Sequence, residues 1–118
     1  MAKLRCVFYD PDAVDAGSRL SERAFEACER AEIAVFALSG EDTVELEGEP
    51  QGIEFVMRAL NLTPEECIGV GPSLADAPLG AVWVGPLELD VRGAHIRVAE
   101  EGEELLYEAV VSELAQRR

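Results

Sequence analysis

Apolar and polar positions along the chain follow two alternating rhythms. Residues 6–9, Cys-Val-Phe-Tyr, form an unbroken apolar run, which fits a strand buried on both faces of a sheet. Asp10, Pro11 and Asp12 end that run. Over 17–31 the spacing becomes helical, with Leu20, Ala24, Ala27, Cys28 and Ala31 on one face and Ser18 and Ser21 as N-cap candidates. A second buried strand is predicted at 33–38, closed by Ser39 and Gly40.

The stretch 41–50, Glu-Asp-Thr-Val-Glu-Leu-Glu-Gly-Glu-Pro, is acidic and irregular and predicts a solvated loop with at most a short hairpin. In 52–60 the residues Ile53, Val56, Met57 and Leu60 repeat at i, i+3, i+4 and i+7, so an amphipathic helix is expected. Further strands are predicted at 67–70, 81–85 and 95–98, with a short helix after the third strand that Pro78 cuts off. A last helix should bury Leu105, Leu106, Ala109, Val110 and Leu114, with its acids early and Arg117 and Arg118 last, as the helix dipole favours.

Strands alternating with helices imply crossover connections and a mostly parallel sheet covered on both faces. The expectation is one α/β domain spanning 1–118, a three-layer sandwich with helices on both sides of the sheet. No internal repeat, linker or low-complexity segment interrupts it.

Charge narrows the function. Ten basic residues face 24 acidic ones, giving a net charge of -14. Phosphate backbones require Lys/Arg patches, so nucleic acid is excluded as a partner, and anionic membrane surfaces are disfavoured for the same reason. No apolar run approaches the roughly 18 residues of a membrane span. The first residues lack the pattern of a secretory leader, and the three cysteines, Cys6, Cys28 and Cys67, are widely spaced among apolar neighbours. Buried thiols and a cytoplasmic location are expected.

Ligands of such sheets bind outside the carboxyl ends of the strands. Asp10-Pro11-Asp12, Ser39-Gly40 and Gly71-Pro72-Ser73-Leu74-Ala75-Asp76 all fall there. In this order they resemble the motifs of the haloacid dehalogenase superfamily of phosphotransferases, and the resemblance covers nearly the whole chain. It implies a HAD-like, Rossmann-type fold. It makes Asp10 the nucleophile that forms an aspartyl-phosphate, and Asp12 the acid/base. Ser39, Gly40 and Gln51 become phosphate-binding positions, and Asp10, Asp12 and Asp76 the ligands of a weakly held Mg²⁺. The implied ligand is a small phosphorylated molecule. Only about ten residues stand where many relatives insert a cap, so no cap domain is expected.

Departures from the family pattern concern charge. Gln51 replaces the family's lysine, Pro72 replaces the first acid of the late motif, and Ala13-Val14 replace its Gly-Thr. Lys3, the sole lysine, precedes the first strand, and Arg58 lies seven residues beyond Gln51, or roughly 10 Å along a helix. An aspartate attacking a phosphoryl dianion without a nearby cation faces repulsion of several kcal/mol. The resemblance therefore implies a degenerate phosphatase-type site with little or no activity, serving binding or assembly; the alternative is a Mg²⁺-dependent phosphatase acting on a small phosphomonoester. On the residues alone, Asp10 and Asp12 also read as turn residues around Pro11. His95, the sole histidine, is expected to be structural. Trp83 and the apolar stretch 77–87 are expected to serve the core or to supply the contact of a homo-oligomer.

Overall fold

Parallel pairing organises the molecule. The computed structural model describes residues 2–40, 43–86, 93–100 and 104–117. Strand β1 (Cys6–Tyr9) lies between β2 (Ala34–Ala37) and a later strand, Cys67–Val70. A hairpin intervenes in the chain, β3 (Thr43–Leu46) and β4 (Glu49–Gly52), so the later strand is β5. With β6 (Ala81–Val84) and β7 (Ile96–Val98) the sheet order is β2-β1-β5-β6-β7, all parallel. Three helices, α1 (Arg19–Arg30), α2 (Ile53–Ala59) and α3 (Leu105–Gln116), complete a compact α/β fold.

Register decides which side chains meet. Val7 pairs with Ile68, which pairs with Ala81, so these three point to one face, where they join Trp83, Ala24 and Cys28 from α1, and Leu106, Ala109 and Val110 from α3. Cys6, Phe8, Cys67 and Val82 alternate to the opposite face and pack against Ile53, Val56 and Met57 of α2. Burying a side chain such as Phe8 or Ile68 contributes about 1.5–3 kcal/mol before entropy is counted, so β1 and β5 anchor both clusters. The predicted buried strand at 33–38 is an edge strand: Ala34, Val35 and Phe36 are half-buried and Ala37 is exposed, because within the sheet only β1 pairs with it.

Helix starts follow the polar residues. Ser18 caps α1 by accepting the Ser21 N–H at 3.1 Å. Ser21 is itself buried, its hydroxyl 2.7 Å from the Asp15 carbonyl and 3.1 Å from Glu104 Oε1. Glu104 in turn caps α3 by accepting the Tyr107 N–H at 2.8 Å. One hydroxyl thus links the first turns of α1 and α3, which pack together on the same sheet face.

Three expectations are sharpened. Residues 43–52 form the short antiparallel hairpin that the sequence allowed, and not only a solvated loop: Val44 is fully buried, and Glu47 and Gly48 make the reversal with φ of 56° and 82°. Residues 41 and 42 lie outside the described set. Trp83 is no contact surface: it is 6% exposed, and its indole N–H donates to Glu113 Oε1 at 2.9 Å. Leu79, Ala81, Val82 and Val84 are buried with it and belong to the core, while residue 87 lies outside the described set. On α3, Leu106, Ala109 and Val110 are buried, but Leu105 and Leu114 only partly; the fourth buried position is Glu113, and Arg118 lies outside the described residues. His95 does take a structural place, its Nε2 donating to the Ala75 carbonyl at 2.7 Å. Among the described residues no helix is long and apolar enough to cross a membrane.

Candidate functional site

The chain turns sharply where β1 ends. Asp10 N–H donates to the Val70 carbonyl at 2.9 Å, and the Asp10 carbonyl accepts from Ala13 N at 3.0 Å and Val14 N at 3.2 Å. The Asp12 N–H donates back to Asp10 Oδ1 at 2.9 Å, the local bond that aspartate supplies at turns. From the loop after β5, Ser73 Oγ donates to Asp10 Oδ2 at 2.6 Å, a short charge-assisted bond. Both oxygens of the Asp10 carboxylate therefore accept a neutral donor.

Gly71 makes that second bond possible. Its φ of 125° and ψ of 149° lie in a region essentially reserved for glycine, and a Cβ there would stand 2.8 Å from Asp10 Cβ. Pro72 then opens a single 3₁₀ turn, Pro72–Leu74, and Ser73 swings over Asp10. A residue with a side chain at 71 would push the two loops apart.

Asp10, Pro11, Asp12, Leu38, Ser39, Gly40 and Ser73 line one pocket of about 480 Å³. Four of the predicted positions thus meet: Asp10, Asp12, Ser39 and Gly40. The Ser39 hydroxyl lies 3.3 Å from the Thr43 carbonyl and donates there, while Ser39 N–H donates to the same oxygen at 2.7 Å. Gln51 and Asp76 are placed elsewhere. Gln51 belongs to β4, paired with Val44 in the hairpin. Asp76 lines a separate pocket of about 300 Å³ with Gly52, Ile53, Glu54, Ala77 and Pro78. Ser73 is the residue that sequence reasoning passed over. It lay in a quoted strand-end motif, but only the fold shows that it crosses to Asp10, 63 positions earlier.

No family model, curated protein or solved structure matches the chain. What the pocket can do therefore rests on its own chemistry.

Charge is one-sided there. Among the described residues two carboxylates line the pocket and no cationic side chain does. Arg58 lines a different pocket with Glu54 and Met57, and Lys3 precedes β1. For Mg²⁺ the fit is poor: the ion asks for near-octahedral oxygen ligation, whereas Asp76 faces another pocket and both Asp10 oxygens are already hydrogen-bonded. Among the described residues no group of three or more His, Cys, Asp or Glu converges.

Of the three thiols, Cys6 and Cys28 offer no second centre, while the hydrogen bond from Cys6 lowers the pKa of Cys67 inside a fully buried pair. Cys6 and Cys67 are register partners on β1 and β5, both fully buried; donation to Cys67 holds the Cys6 thiol protonated, and its pKa is raised. Burial pushes Cys28 up to about 11. A raised pKa suppresses the thiolate and with it nucleophilic reactivity.

Proposed function

We propose that this chain is a small, capless protein of haloacid dehalogenase type, a three-layer α/β sandwich whose phosphatase-type site has lost its charge support and serves binding or assembly. The observation that carries the proposal is the bonding of Asp10. Its carboxylate stands at the carboxyl end of a central parallel strand, where ligands of such sheets bind, yet it is held by the Ser73 hydroxyl and the Asp12 amide, with no cation among the described residues of the pocket wall. Neutral donors fix the carboxylate in place but do little against its repulsion of a phosphoryl dianion. The helices support the layer reading: α1 and α3 pack on one face of the sheet and α2 on the other.

The rival reading is a Mg²⁺-dependent phosphatase. Its support is that Asp10, Asp12, Ser39 and Gly40 share one pocket. There Asp10 would attack phosphorus to give an aspartyl-phosphate, Asp12 would protonate the leaving oxygen, and water would release phosphate. Nuclear magnetic resonance distinguishes the two. In the degenerate-site reading the amides of Asp12, Ser39, Gly40 and Ser73 stay unmoved by Mg²⁺ with inorganic phosphate at millimolar levels. Saturable shifts confined to those amides, absent in Asp10→Asn, would favour the phosphatase.

Association into a homo-oligomer remains part of the proposal, with the exposed Pro11, Asp12, Gly40 and Ser73 of the pocket as the surface now that Trp83 is assigned to the core. A particle of 12.8 kDa in light scattering, the mass of one chain, would remove it.

A further inference from the structure

Two of the chain's ten cationic residues converge at the end of the sheet away from Asp10. Arg97 on β7 and Arg117 after α3 line a pocket of about 360 Å³ together with Ala2, Glu65, Gly80 and Ala81. Most of this wall precedes the strands: Ala2 comes before β1, Glu65 before β5 and Gly80 before β6. The pocket therefore opens at the amino ends of the strands.

The two guanidinium groups are fixed by named partners. Arg117 Nε donates to Glu113 Oε2 at 3.0 Å, and its Nη1 donates to the carbonyls of Ala2 at 2.6 Å and Glu65 at 2.7 Å. Arg97 Nη1 donates to Gln116 Oε1 at 2.8 Å, and its Nε stands 3.6 Å from Glu113 Oε1. A guanidinium carries five N–H donors, and the hydrogen bonds to described residues use Nε and Nη1 of Arg117 and Nη1 of Arg97. Among the described residues no buried side-chain nitrogen or oxygen is left without a partner. The Arg117 side chain is only 6% exposed and lines the pocket, where its Nη2 donors can meet a ligand.

Charge supports the same reading. Glu113, fully buried, is a single carboxylate between two guanidinium groups, so this trio carries one positive charge in excess. The other acid at the wall, Glu65, is exposed and contributes its backbone carbonyl to Arg117. Small residues leave the space: Ala2, Gly80 and Ala81 form the rest of the lining, and a Cβ at Gly80 would stand 2.8 Å from the Pro64 carbonyl.

We infer that this pocket binds a small oxyanion, a carboxylate or phosphate group, between Nη2 of Arg97 and Nη2 of Arg117. Planar guanidinium forks match the terminal oxygens of such groups. The site is independent of the Asp10 pocket and stands whether or not that pocket is catalytic.

Inorganic phosphate and acetate, each titrated into the whole chain and followed by amide resonances at matched chloride ionic strength, test the inference. Saturable shifts at Gly80, Ala81 and Arg97 are expected; response to both probes assigns oxyanions in general, and response to one alone assigns that group. Arg97→Gln should weaken binding about tenfold, the loss of one charge-assisted contact. It should keep the fold, because the Arg97 side chain is 41% exposed while Glu113 retains Arg117 and Trp83. Asp10→Asn should bind as the parent does, which separates this site from the other pocket. No shift beyond the chloride control, or unchanged binding in a folded Arg97→Gln protein, would overturn the inference. Shifts confined to Asp12, Ser39, Gly40 and Ser73 would overturn it as well.

Discussion

The two ends of the sheet hold carboxylates under opposite conditions. At the carboxyl end, Asp10 accepts from a hydroxyl and an amide and faces a pocket with no cation among its described residues. At the amino end, Glu113 is fully buried between two guanidinium groups and an indole N–H. In a chain this acidic, cations are scarce, and the fold places two of them on the acid that the core encloses. The acid at the strand end relies on geometry alone. The contrast predicts that Glu113 matters to stability and Asp10 to whatever the pocket binds.

Removing Glu113 should have the largest effect. Glu113→Ala leaves Arg117 buried without its counter-ion and the Trp83 N–H without an acceptor, and breaking one side of such a pair costs about 3–5 kcal/mol. Urea unfolding followed by Trp83 fluorescence should show the midpoint falling accordingly. A loss no larger than that of Asp10→Asn would erase the distinction between the two ends.

A buried anion without a cation should behave in the reverse way, and Cys28 supplies it. The Cys28 thiol lies in the cluster shared by α1, α3 and Trp83, and burial raises its pKa from 9.0 to about 11. The unfolded chain therefore releases this proton first. Stability from this group is intact below pH 9.0, declines as the pH rises towards about 11, and then levels off, by at most about 3 kcal/mol. Cys28→Ala should flatten the decline; the same decline in that variant would place its origin elsewhere.

At the carboxyl end the backbone should matter more than the carboxylate. Gly71→Ala imposes a strained conformation and a Cβ contact with Asp10, at a cost of about 1–3 kcal/mol, measurable as a lower melting temperature. Ser73→Ala should have the smallest effect, about 1 kcal/mol for one hydrogen bond beside solvent. A double-mutant cycle with Asp10→Asn should show that the two positions couple, and additivity would mean that their bond contributes nothing.

How much of this was legible follows from the range of each interaction. The apolar runs at β1 and β5 and the helical repeat of α1 are local, and the fold keeps them as read. The hairpin was obscured because Val44 and Leu46 alternate with residues whose acidity suggests a loop. Glu113 sits near the end of an amphipathic helix, where an acid ordinarily faces water; besides Arg117, four positions on, it is Trp83, 30 positions earlier, and Arg97 on β7 that meet it inside. The pocket was half legible for the same reason. Asp10, Asp12, Ser39 and Gly40 follow from strand ends, whereas the Ser73 bond, and the placement of Gln51 and Asp76 away from that pocket, depend on how separate loops cross.

The central claim is that Asp10 lacks the charge support that phosphoryl transfer requires. Hydrolysis of a reactive aryl phosphate by the purified chain, with Mg²⁺ and in parallel with Asp10→Asn, addresses it directly. The account predicts the same background rate for both proteins. Mg²⁺-dependent turnover in the parent that disappears in a folded Asp10→Asn variant would contradict it.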